Sequence, residues 1–463
     1  MRDTDRSPTA ERLWRLLPPV GLSVGFVLVA TLFLLGYTQA YSAILWQLGI
    51  DPFVFPFLDS HGVLSTAECH GYGYDVFVEN PCDVLGRTLD YSPFWLVTTK
   101  FGLHTGLTPI VGMTLDVLFL FWIFFLPPAR SGSQALVMSL ALLSSAVGFA
   151  LERANLDLAI FVIATVAAHW ALRETVWRFF GYAFVMLAAL IKFYPGIVLM
   201  LAIRERLVIL CGLVVVTIAV TTIFVALEGN DILRALAQLE GKVWFTISFG
   251  AQNLSLGFAA LLAHAFPRLL PYPIVVEIVF IVITIAAATA IAKTEELQKS
   301  LEFLSDHSRV MMLIGAALIV GCFFAAENAP YRAIYLLFAL PGITDLWSAP
   351  ISKASRQRYV LAAACALFLM WSPFLYRIMT EGLAALHVAP ALIFDTRIAY
   401  WFLREIVWWW MIAILLAFLL GLIYQSQSGQ QILSLFLNRS ADGRKPRAHP
   451  AQLAASSGDQ RRS

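Results

Sequence analysis

The residues with chemical potential in this chain are acids and bases set among long apolar runs. Asp59, Asp75, Asp83 and Arg87 share one polar loop. Glu152, Arg153, Asn155 and Asp157 cluster between two apolar runs. Lys192 interrupts another run, Gln252 and Asn253 precede a short one, and Glu327, Asn328, Tyr331 and Arg332 divide two more. Ionisable groups at membrane depth are costly, so they mark a site or a paired structural contact. A positioned carboxylate can take the proton of an attacking hydroxyl. Lys192, Arg153 or Arg332 can stabilise a leaving group that gains negative charge. Asp59 is preferred as the base because it lies where the chain leaves its first helical region, close to the membrane plane.

Each residue also has a plain structural reading. Asp51 and Asp90 read as solvated loop acids, and Asp75 and Asp83, beside Gly and Pro, as turn formers. Asp59 ends the apolar stretch 53–58 and could cap a helix. Arg153 and Asp157 have the i, i+4 spacing of a helix-end ion pair, and Lys192 could snorkel to the interface. The run Trp408-Trp409-Trp410 resembles an interface anchor. The histidines show no metal spacing, and no phosphate-binding glycine loop, zinc-protease motif or nucleophile elbow is present.

The elements that must hold these residues are membrane helices. Only 13% of the 463 residues are charged, about half the share of a soluble protein, which leaves too few charges to coat a water-facing surface. Apolar runs of about 20 residues recur throughout. The spacing predicts an all-α polytopic bundle with spans near 17–40, 106–126, 134–150, 157–172, 179–191, 195–203, 207–227, 272–292, 309–326, 331–347, 359–376 and 401–424, and a short apolar stretch at 253–266. The run 17–36 is longer than a signal-peptide core, so it reads as a retained first helix. This gives a short N-terminal segment (1–16), a membrane domain (17–425) with a long loop at about 41–105, and a polar, basic tail (426–463) that reads as disordered. The net charge of +2 gives no sign of a nucleic-acid partner.

Lys and Arg collect in short cytoplasmic loops. Arg2, Arg6, Arg12 and Arg15 place the N-terminus inside, and the acid-rich 41–105 loop outside. The sign of every later loop stays consistent only if 179–203 is a hairpin turning at Lys192-Phe193-Tyr194-Pro195, which returns Arg204 and Arg206 to the inside and puts both termini in the cytoplasm. Thirteen helical residues cover about 20 Å, short of a ~30 Å hydrocarbon core. Such segments must be screened from lipid or line a cavity. Cys69 and Cys82 share the outer loop, where oxidising conditions would let them pair. Cys211, Cys322 and Cys365 fall in apolar spans as core filler.

The ordered set of motifs resembles the GT-C superfamily of membrane glycosyltransferases, specifically the bacterial DUF2029 or GT87 group. It consists of a first helix, an outer loop with Asp59, then Gly73-Tyr74-Asp75-Val76-Phe77, Asn80-Pro81-Cys82-Asp83, Gly86-Arg87 and Tyr91-Ser92-Pro93-Phe94-Trp95. Glu152-Arg153-Ala154-Asn155-Leu156-Asp157 resembles that group's Arg-Gly-Asn-x-Asp signature, with Ala154 in place of Gly. Ala189 to Pro195 resembles its Lys-x-x-Pro break, and Gln252-Asn253-Leu254-Ser255 its Asn-Gln-Ser-like segment. The resemblance covers roughly residues 17–345. It implies a GT-C-like bundle of ten to twelve segments in a bacterial inner membrane. It also implies a polyprenyl-phosphate sugar donor, usually of mannose or another hexose, and inverting transfer outside the cytoplasm to a glycan or glycolipid acceptor. Asp59 would be the base, with Lys192, Arg153, Asn155, Asp157, Arg332, Asp75, Asp83, Arg87, Gln252 and Asn253 around the donor. Where some relatives carry a histidine this chain has Tyr331-Arg332. The chemistry asks for no cofactor and leaves metal dependence open. A transporter or lipid-carrier flippase is the competing reading, because a broken helix with buried charges suits alternating access; the chain shows no internal repeat by eye.

Overall fold

A computed structural model of the chain describes residues 8–173, 175–238, 248–265, 273–325, 329–432 and 434. Glu327, Asn328 and nearly all of the polar tail lie outside them. The described chain is all-helical: α1 (Pro8–Leu34), α2 (Thr38–Gln47), α3 (Leu58–Gly71), α4 (Thr108–Trp122), α5 (Gly132–Leu142), α6 (Ser145–Arg153), α7 (Leu156–Ala171), α8 (Trp177–Ile191), α9 (Leu207–Ala237), α10 (Ala251–Ala265), α11 (Pro273–Ala292), α12 (Glu295–Glu302), α13 (Asp306–Ala325), α14 (Leu336–Ser348), α15 (Lys353–Met370), α16 (Ser372–Ala385) and α17 (Pro390–Gln425). Tighter 3-10 segments occupy Pro93–Phe101, Tyr194–Arg204 and Pro330–Tyr335.

Among the described residues six helices are long and apolar enough to cross a membrane: α1, α4 with its flanking turns, α9, α11, α13 and α17. Two bent pairs, α5 with α6 (42°) and α15 with α16 (65°), raise the number to eight when each pair is one span. The other segments expected as spans are too short to cross alone. α7 has 16 residues, or about 24 Å of rise. These short helices sit against longer ones, where neighbours screen their ends.

The core runs along α13, α14 and α17. α13 is apolar around its whole circumference and buried along most of its length, as a central helix must be. Gly315 lets α14 come close: a Cβ there would lie 2.7 Å from the Phe338 Cβ and 2.8 Å from the Ala339 nitrogen. Small residues serve this purpose at helix crossings in membranes. At the opposite extreme, Ala235 is the one fully buried residue of α9, so this long apolar helix offers nearly all its surface to lipid.

Residues 179–203 form a hairpin. At its open end Arg178 and Glu205 are ion-paired at 3.4 Å, and the Tyr182 hydroxyl donates to Glu205 Oε1 at 2.9 Å. Near the tip, Gly196 faces Ala189 so closely that a Cβ would lie 3.4 Å from the Ala189 Cβ. Residue 206 therefore emerges beside residue 178. Reporter fusions at residue 206 and at the C-terminus are both expected to read cytoplasm; an extracytoplasmic signal from either would overturn the assigned orientation.

Several local expectations need correction. The 41–105 loop is largely helical, with α2, α3 and Pro93–Phe101 inside it. Asp51 is solvated as expected, with 68% of its side chain exposed, and it also pairs with Arg377. The tryptophan run is not an interface anchor. Trp408 and Trp409 are buried, with Phe249 4.6 Å from Trp408 and Phe323 5.0 Å from Trp409 between ring centroids, because α17 crosses the middle of the bundle. Cys211 is exposed on α9 instead of filling the core, while Cys322 is buried.

Cys69 and Cys82 form a disulfide, with Cα atoms 5.8 Å apart. It ties the end of α3 to the loop carrying Asp83 and Arg87. A cross-link over a loop of this length contributes about 3 kcal/mol. Reduction, or Cys69→Ser, is expected to lower the apparent unfolding temperature in detergent; an unchanged midpoint would show that the loop is held by its other contacts alone.

Candidate functional site

Two unusual backbone turns set the site. Phe57 caps the start of α3 in the left-handed region, at φ 71°, and Ala154 ends α6 there at φ 41°. Residues with a Cβ avoid this region, and such strain gathers at functional sites. Each turn is held from outside. The Phe57 nitrogen donates to the Glu152 carbonyl at 2.7 Å. The Phe57 ring fills the notch left by Gly112, where a Cβ would meet it at 2.3 Å. The Ser60 hydroxyl donates to the Ala154 carbonyl at 2.7 Å. The turns aim Asp59 and Asn155 at each other, and Asn155 Nδ2 donates to Asp59 Oδ2 at 2.6 Å.

From this contact an ion ladder runs both ways. On one side Arg87 lies 3.4 Å from Asp59 Oδ1. It also donates to both Asp83 oxygens, at 3.0 and 2.9 Å, and to the Leu58 carbonyl at 2.7 Å. Asp83 in turn accepts from the backbone nitrogens of Leu85 and Arg87, so it is a turn former and an ion partner together. Burial works to raise the Asp83 carboxyl, but the Arg87 guanidinium and the backbone donors outweigh it and hold the group below the usual carboxylate range. The stability this adds is present at neutral pH and fades as pH falls through that lowered pKa.

On the other side Asn155 Oδ1 accepts from Lys192 at 3.3 Å while also capping α7 through the Asp157 nitrogen. Lys192 is ion-paired with Asp157. Asp157 accepts from the Tyr194 hydroxyl at 2.6 Å and faces Arg332 Nε at 3.6 Å. Tyr194 meets the Tyr335 hydroxyl at 2.6 Å, and its ring lies 4.4 Å beneath the Arg332 guanidinium. Lys192 sits 5.3 Å over the Tyr91 ring. Asp157, Lys192 and Arg332 are all buried. Nε and Nη1 of Arg332 have no hydrogen-bond acceptor among the described residues. Asp59 keeps 16% of its side chain exposed. The arrangement thus offers a reachable carboxylate and, across Asn155, a buried pair of cations with donor capacity to spare.

Asp59, Asp83, Arg87, Asn155, Asp157, Lys192 and Arg332 are therefore brought together as expected. Arg153 is not. Its expected i, i+4 pair with Asp157 does not form, because the Ala154 turn breaks the helix between them. Arg153 instead pairs with Glu152 at 2.9 Å, donates to the Asp51 carbonyl and lies over the Phe149 ring. Asp75 pairs with Arg234 on the loop surface. Gln252 is exposed, and Asn253 is buried and donates to the Ser248 carbonyl at 3.3 Å. That carbonyl also accepts from Arg404, which is paired with Glu405 at 2.7 Å inside α17, a second buried ion pair that the reading of motifs overlooked. Tyr335 was missed as well, since one tyrosine inside an apolar run carries no signal in sequence. Among the described residues no group of His, Cys, Asp and Glu has the geometry to hold a metal ion. Compared with protein-family models, curated proteins and solved structures, the chain matches none.

Proposed function

We propose that the chain is a GT-C-like, lipid-linked sugar transferase, moving a hexose such as mannose from a polyprenyl phosphate to a glycan or glycolipid acceptor on the extracytoplasmic side of a bacterial inner membrane. The observation that carries this reading is the ladder itself, with Asp59 at a reachable point in its middle and the Lys192–Arg332 cation pair buried across Asn155. The acceptor hydroxyl attacks the anomeric carbon while its proton passes to Asp59. The bond from that carbon to the lipid phosphate breaks, and the phosphate leaves with the electron pair. Lys192 and the spare N–H groups of Arg332 stabilise the charge that develops there. A single displacement of this kind inverts the anomeric centre. Arg87 and Asn155 hold the Asp59 carboxylate in place. A lipid donor explains why the cations lie at the tip of a short hairpin within the bundle.

Purified protein incubated with radiolabelled polyprenyl-phosphate mannose and membrane glycolipids is expected to yield a labelled product of inverted configuration. Labelled donor crossing intact vesicles without cleavage would instead favour the flippase reading, which the hairpin and buried charges also suit.

A further inference from the structure

A partly open pocket lies beside Glu152, at the end of α6. It is a cavity of about 610 Å³ between α1, α2, α4 and the α5–α6 bend, within the ~300–1,000 Å³ range of small-ligand sites. Its wall is apolar, with Phe26, Phe33 and Met113 among the lining residues, and its few polar groups include Asp116, Glu152 and His61. Glu152 is engaged by Arg153 at 2.9 Å. His61 uses Nδ1 on the Thr108 hydroxyl at 3.2 Å, while its Nε2 has no partner among the described residues. Asp116 is fully buried, and neither of its carboxylate oxygens has a hydrogen-bond partner among the described residues. A buried polar group left in this condition is costly, and the cost is relieved by a ligand that brings hydrogen-bond donors.

We propose that this cavity binds a single-chain amphipath, with its apolar chain among Phe26, Phe33 and Met113 and a hydroxyl head donating to Asp116. A hydrocarbon of the same length brings no donor for Asp116, so it is a poor fit. Binding here requires no sugar donor, so it stands or falls separately from the transfer reaction.

The test uses full-length protein in phosphatidylcholine nanodiscs, photolabelled with diazirine-bearing hexadecanol or hexadecane, with adducts mapped by peptide mass spectrometry. Hexadecanol is expected to label the Phe33 and Met113 peptides and to be competed by unlabelled hexadecanol. A hydrogen bond to the buried Asp116 carboxyl makes its labelling about tenfold or more stronger than that of hexadecane. Gly25→Phe should abolish this labelling, since a Cβ at Gly25 approaches only Leu143, at 3.9 Å, and the ring is free to fill the cavity. Asp116→Leu should erase the preference for hexadecanol over hexadecane, and it decides the matter alone should Gly25→Phe fail to fold. Equal labelling by hexadecane and hexadecanol, undiminished labelling of folded Gly25→Phe, or an alcohol preference that survives Asp116→Leu would each overturn the proposal.

Discussion

Asp59→Asn is expected to lower sugar transfer by roughly 10²–10⁴-fold, the usual cost of losing a general base, while donor binding and folding persist. The substitution keeps the shape of the side chain, and its amide oxygen can still accept from Asn155 Nδ2. Arg87 retains its bidentate contact with Asp83, so no buried cation is left alone. What disappears is the group that takes the acceptor proton. Initial rates with saturating donor, run beside equilibrium binding of labelled donor, separate the two effects. Asp75→Asn is the matched control: Asp75 pairs with Arg234 at the loop surface, and its loss should leave transfer near normal. Full activity of Asp59→Asn, or a greater loss from Asp75→Asn, would remove Asp59 from the role of base.

The second large effect is on folding. Asp157→Ala should destabilise the bundle by about 3–5 kcal/mol, because it strands Lys192 and Arg332 as buried cations without their carboxylate. It also removes the acceptor of the Tyr194 hydroxyl. A loss of that size lowers the apparent unfolding midpoint in detergent by about 3–5 °C and reduces the monodisperse fraction on size exclusion. Adding Lys192→Met to Asp157→Ala should recover much of the stability, since a buried ion pair replaced by apolar side chains is often tolerated, but transfer should stay lost. A single Asp157→Ala variant as stable as the parent would mean that the ladder is not coupled to the fold. No recovery in the double variant would mean that Asp157 matters chiefly to Arg332 and Tyr194.

The amino-acid sequence by itself determined the class and much of the order. Apolar runs of membrane length follow from the shortage of charge, and the basic loops demanded a hairpin at Lys192, because one crossing there would invert every later sign. The hairpin is present, with Arg178 and Glu205 paired at its open end. The cysteine pair was legible from two thiols in one polar loop, and it is bonded. Spacing was a poorer guide where the backbone leaves the helix. Four residues from Arg153 to Asp157 suggested an ion pair, but Ala154 takes a left-handed turn and sends the two side chains to different partners. No local pattern announces that turn, since it is fixed by Ser60 reaching the Ala154 carbonyl from 94 residues away in the chain. Tertiary structure alone decided that Asp59 meets Asn155, that Tyr335 joins the ladder from α14's leading edge, and that Trp408 and Trp409 fill the core rather than mark an interface. Each of these depends on which helices pack together, and burial across the bundle is a sum over contacts distant in sequence, which local composition does not encode.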